Sequence, residues 1–199
     1  MAKTRYEAGG KDIMKLIQTA DKFGNPGIKK QQFTHRHIYH YLPLDGTTSY
    51  DFFENVKTAR PLFSNINENK LQVGEVMIIK ELFFDVITEV GATNPPTLNN
   101  SVRFTAFGLD GLYNSQMSWL NDNNRVIKNL GLQEMNPFFN IHAWNDTLNV
   151  IKLKSEITMQ PLITFVCHLN TPTYAAVAGA FIGCHALGIG TILAPKTTY

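Results

Sequence analysis

The residues most able to do chemistry in this chain fall into three groups, and the first is HRHIYHY, which carries His35, His37 and His40. On a strand His35 and His37 share a face and could ligate a borderline metal, while His40 points to the other side unless the strand bends. No nearby cysteine completes a zinc pattern, although Asp45 follows through a turn. These histidines are therefore expected on an aromatic-rich surface or interface, with no metal. The second group is Cys167 with His168 and Cys184 with His185. Four such ligands could make a tetrahedral zinc site, yet adjacent strand residues face opposite sides, so joint ligation is awkward. Buried thiols with polar histidine neighbours are the expectation, and neither pair names the orienting third group that a Cys-His nucleophile requires. The third group is Glu75, Glu81, Asp85 and Glu89. The last three share a face if their strand is unbroken, but acid–base chemistry needs close carboxyl groups and a cleft. A polar strand face or subunit contact is the reading.

The sequence holds no G-x-x-x-x-G-K-[ST], dinucleotide fingerprint, H-E-x-x-H or G-x-S-x-G. No catalytic residue, metal or cofactor is assigned, and the chain is expected not to be an enzyme. Trp119, Trp144, Phe83, Phe84, Phe138 and Phe139 could stack on sugars or bases, but such aromatics more commonly pack a core.

The elements that would position these residues are mostly β. GEVMIIKELFFDVITEV at 74–90 is the strongest core segment, and its Val, Ile and Phe content predicts a long bent strand or two strands. QQFTHRHIYHYLPL at 31–44 reads as extended chain, DGTT as a turn, and YDFFENV as a short strand or helical turn. SVRFTAFG at 101–108, PFFNIHAW at 137–144, NVIKLKSEITM at 149–159 and PLITFVCHL at 161–169 read as further strands. GATNPPTLNN reads as loop, since Pro95 and Pro96 exclude ladder structure. NSQMSWLNDNNRVIKNLG at 114–131 reads as a helical or irregular excursion through Met117, Leu120 and Val126.

Ahead of these segments, KDIMKLIQTADKFG places Ile13, Met14, Ile17 and Ala20 on one helical stripe with Leu16 at its edge. This predicts a short amphipathic helix over about 11–23, ended by GNPG. Residues 1–30 then form a basic N-terminal arm and 31–199 a β-sandwich assembly domain. The whole is mainly β, an antiparallel sandwich with the single jelly roll as its leading topology.

The chain has 199 residues, 17% charged and 11% aromatic, a balance that leaves room for protein contacts. Its net charge of +2 is uneven: residues 1–40 sum to +5 and the remainder to −3. A basic arm on a mildly acidic body could lie near nucleic acid, although a solvated basic segment is the simpler reading. Two cysteines make no secreted disulfide scaffold, and the polar start MAKTRYEAGGKD is unlike a signal peptide, so unprocessed synthesis in a cell's cytoplasm is expected.

YAAVAGAFIGCHALGIGTILA at 174–194 has no formally charged residue when His185 is neutral. It is long enough to span a bilayer, and Gly179 with Gly183 makes a close-packing G-x-x-x-G. Its glycines disfavour a helix in water, and a buried strand passing close to another backbone is preferred. Membrane contact is not the favoured reading.

At ARPLFSNINENKLQVGEVMIIKELFFDVI, residues 59–87, the chain resembles the opening of a viral structural β module. With the β segments that follow and the glycine-rich end, it is similar in style to jelly-roll capsid, vertex or virion-associated proteins of bacterial viruses. The resemblance implies location in a virion, homo-oligomeric contacts, contacts with other virion proteins, and no chemical turnover. Ile13, Met14, Ile17, Phe33, Phe83, Phe84, Trp119 and Trp144 are the expected assembly interface. A receptor- or glycan-binding module and a membrane-associated structural protein anchored through 174–194 are the alternatives.

Overall fold

The computed structural model describes residues 14–16, 18, 33–54, 56, 63–72, 75–90, 97–101, 104, 109–135 and 150–191. The expectations for 137–144, including Trp144, and for Ile13, Ile17 and GNPG lie outside the described residues. The strands are β1 (Phe33–Pro43), β2 (Ser49–Phe52), β3 (Met77–Val90), β4 (Thr97–Ser101), β5 (Gln116–Asn121), β6 (Asn124–Gly131), β7 (Val150–Met159), β8 (Phe165–Asn170) and β9 (Ala180–Thr191). Short 3-10 turns stand at Asp110–Asn114 and Leu132–Met135.

Pairing follows a nested pattern. β1 pairs β9, β2 pairs β8, β3 pairs β7, and β5 closes on β6, every pair antiparallel. This is one long antiparallel ribbon, its two arms joined at the β5–β6 hairpin. Rolling the ribbon up adds two further antiparallel pairs, β3 with β9 and β5 with β8. The result is two sheets, one ordered β1-β9-β3 with β7 and β4 on the far side of β3, the other β2-β8-β5-β6. Such a roll is the jelly roll. β4 is an addition to it: β7 occupies the Met77–Phe83 half of β3 and β4 the Val86–Val90 half.

Alternation along the strands sends one set of side chains between the sheets. Ile38, Leu82, Phe84, Val86, Ile182, Cys184 and Ala186 face in from the five-stranded sheet, against Phe52, Met117, Trp119, Phe165, Cys167 and Leu169 from the other. Phe52 meets Phe84 edge-on at 5.8 Å, and Trp119 stacks on Phe165 at 5.9 Å. Each such pair adds about 0.5–1.5 kcal/mol beyond its area. In β3 the pairing register shifts between Ile79 and Glu81. The bulge turns Ile78 to the outer face while Ile79 and Leu82 stay in the core.

Several expectations are corrected. Residues 114–131 form the β5–β6 hairpin, because Asp122 takes a left-handed backbone (φ 52°) at the turn while Met117 and Trp119 alternate inward. Its second strand is exposed, so it lacks the apolar pattern that marks half-buried strands. Thr97–Asn100, expected in a loop, pair with β3 in β4, and Phe104, expected on a strand, is buried in 3-10 conformation.

On the arm, residues 14–16 and 18 are helical. The buried residue there is Leu16, seated with Val76, Ile78 and Ile189 on the outer face of the five-stranded sheet, while Met14 is 58% exposed. The predicted stripe thus turns outward at Met14 and its edge residue makes the contact. Residues 180–191 form β9, between β1 and β3, so this glycine-rich stretch is a central strand and not a membrane helix. Among the described residues no helix is long and apolar enough to cross a membrane.

Candidate functional site: a Tyr–Asp–His–His chain on the outer face

The outer face of the five-stranded sheet collects polar groups that three strands bring into rows. β1 contributes His37, Tyr39 and Tyr41 by simple alternation; β9 contributes Gly183 and His185; β3 contributes Phe83 and Asp85. The register aligns Tyr39, His185 and Phe83 in one row and Tyr41, Gly183 and Asp85 in the next.

These groups form a continuous hydrogen-bonded chain. The Tyr41 hydroxyl donates to Asp85 Oδ2 at 2.8 Å, and Asp85 Oδ1 lies 2.8 Å from His185 Nε2. His185 Nδ1 is 2.9 Å from His37 Nε2. In the tautomer in which a neutral His185 donates its Nε2–H to the carboxylate, its Nδ1 accepts from the Nε2–H of His37. The side chains of Asp85 and His185 are only 2% and 6% exposed. Phe83 lies flat on the His185 ring at 4.2 Å, and Tyr39 covers it from the β1 side at 5.7 Å. Burial pushes the His37 pKa down to about 4; His185 pushes the same way and Asp85 opposes. At neutral pH the chain therefore ends in a neutral imidazole at the exposed edge of the cluster.

The chemistry open to this arrangement is limited by its own bonds. Both Asp85 oxygens and both His185 nitrogens are occupied within the chain, so they tie β1, β9 and β3 together. Of the four linked side chains, His37 is the one exposed at the surface.

The other candidates separate. His40 faces the opposite side of β1, where its Nδ1 accepts the Phe53 N–H at 2.9 Å, and its pKa is lowered to about 4 by burial. Cys167 and Cys184 point into the core, while His168 and His185 face outward on different sheets, so the four do not converge. His168 bonds to Asp51 on the outer face of the four-stranded sheet. Glu75 pairs with Arg36 at 3.2 Å. Among the described residues no group of three or more His, Cys, Asp or Glu is arranged to hold a metal ion.

Of the residues expected at an interface, Phe84 and Trp119 are corrected: both are fully buried in the inter-sheet core and have no surface to offer. Phe83 is half-buried over His185, Met14 is exposed, and Phe33 begins β1. Sequence reasoning missed Tyr39 and Tyr41 as partners of this cluster, although H-x-Y-x-Y at 37–41 is a period-2 signal for one face.

No family model matches the chain, and neither a curated protein nor a solved structure is found similar to it.

Proposed function

We propose that this chain is a structural subunit of a virion, assembling into capsid or vertex through contacts with its own copies and with other virion proteins. The observation that carries this reading is Leu16. A residue from outside the sandwich is seated on the outer face of a jelly roll whose interior is filled by its own side chains. A filled interior leaves the faces, loops and arm to carry function. Arm-on-body contact is also a joint that can be repeated between copies. Jelly rolls occur in viral capsids, lectins and cupins, so the fold contributes by analogy.

Asp85 and His185 serve as a structural tie in this reading, with no catalytic role. The basic residues of 1–30 give the arm a charge suited to lying near packaged nucleic acid.

A receptor- or glycan-binding role is the second reading. It is favoured by Tyr39 and Phe83, half-exposed aromatic rings beside the exposed His37. Lysine-reactive cross-linking of mixed heavy- and light-isotope chains separates the two. Links between copies from Lys11 or Lys15 to the body support assembly; links within copies alone, with saturable sugar binding lost in Tyr39→Ala, support the second reading.

A further inference from the structure

Cys167 and Cys184 occupy the centre of the sandwich. Cys167 is on β8, flanked in register by Phe52 of β2 and Trp119 of β5. Cys184 is on β9, flanked by His40 of β1 and Phe84 of β3. Phe52 and Phe84 touch across the gap between sheets, so the two rows that hold the cysteines lie face to face. Both thiols are free and fully buried, on facing rows of the two sheets.

We propose that Cys167 and Cys184 are a cross-linking site: on oxidation they form a disulfide that joins the two sheets at their central strands. The oxidant is a low-molecular-weight disulfide such as oxidised glutathione. One protein thiol loses its proton and attacks a sulfur of the oxidant, breaking its S–S bond and releasing a small thiolate, which takes up the proton. The second cysteine, deprotonated in turn, attacks the protein sulfur of the mixed disulfide and expels a second small thiol. Two protein sulfurs are oxidised, one protein S–S bond forms, and the oxidant leaves as two thiols.

Burial and the neighbouring Cys167 hold the Cys184 thiol well above its ordinary range, so the closed sandwich reacts slowly. The cross-link therefore forms during folding or during transient separation of the sheets. A chain folded in a reducing cytoplasm would keep the dithiol and close it outside the cell, where virion surfaces meet oxidising conditions. The inference concerns the thiols alone and stands whether or not the chain assembles.

The test uses the full chain, purified reduced and incubated with oxidised glutathione in buffer and in sub-denaturing urea. Expected are loss of both free thiols, an intact mass lower by two hydrogens, no inter-chain dimer, and faster closure in urea. The cross-linked form should melt about 6–12 °C above the reduced form, a gain that dithiothreitol removes. Two thiols still free after urea treatment, stable glutathione adducts on both cysteines, inter-chain dimers, or a lower melting temperature on closure would each overturn the proposal. Cys167→Ala and Cys184→Ala should each halt at a single glutathione adduct; where either misfolds, the wild-type mass still decides.

Discussion

Tyr41 reaches Asp85 across an intervening strand. The two stand on β1 and β3, on either side of Gly183 of β9, and their side chains meet at 2.8 Å over the position where a Cβ would stand. A methyl group at Gly183 would overlap both the Tyr41 ring and the Asp85 carboxylate. Neighbouring strands lie about 4.8 Å apart, so a contact between the outer two of three needs the middle residue bare. The glycine thus permits the polar tie on this face.

Gly183→Ala is therefore expected to destabilise the fold by about 1–3 kcal/mol through overpacking. Tyr41→Phe removes the hydroxyl without crowding and should cost about 1–2 kcal/mol. In the double variant the two losses should fall short of their sum, because both act on one contact. Urea unfolding of the four proteins checks this.

Acid should weaken the fold through His37 and His40. Both have folded pKa values of about 4, below the ordinary 6.5, so the unfolded chain binds more protons between those limits. Their contribution is complete above pH 6.5 and is lost as pH falls towards 4. Protonation of His40 also removes the acceptor for the Phe53 N–H. For His40 the loss is at most about 3 kcal/mol, reduced by its partial exposure. His40→Asn keeps an acceptor that does not titrate and should flatten the profile of stability between pH 7 and 4.5.

Asn65 guards the open edge of β1. Its side-chain amide accepts from the Tyr39 N–H at 2.9 Å and donates to the His37 carbonyl at 2.7 Å, filling ladder positions another strand would take. Beside it the Phe63 carbonyl accepts the Tyr41 N–H. Asn65→Ala should leave the melting temperature within a few degrees and increase concentration-dependent association at that edge. Turbidity and light scattering over a concentration series report it.

Leu16 should hold the arm with little effect on the sandwich. Burying a leucine side chain is worth about 1.5–3 kcal/mol, here through a local contact separate from the main core. The accompanying Lys15 and Glu156 pair at 3.4 Å is exposed and adds little. In Leu16→Ala, trypsin should cut after Lys15 several-fold faster while the main unfolding transition moves little.

Much of this architecture was legible in the sequence because burial on one face forces alternation. The long β3 with its bend, the β1 segment and the strand character of the glycine-rich end all followed from residue type. β5 and β6 both escaped: β6 faces solvent and no apolar rhythm marks it, and in β5 the polar Ser118 is buried together with Met117 and Trp119. β4 escaped because Pro95 and Pro96 announce a loop and say nothing of Thr97 onward. The outer-face cluster was legible only in pieces: His37, His185 and Asp85 were visible as chemistry, but their meeting depends on register, which no local spacing encodes. Phe84 and Trp119 were assigned outward because an aromatic residue has the same sequence signature in a core as on an interface.

The central claim is assembly through the arm, and the most direct measurement is the native mass of the chain with and without residues 1–30, by light scattering over a concentration range. A ring- or shell-sized species that falls to single copies when the arm is removed is the predicted result. Single copies in both forms, at every concentration, would contradict it.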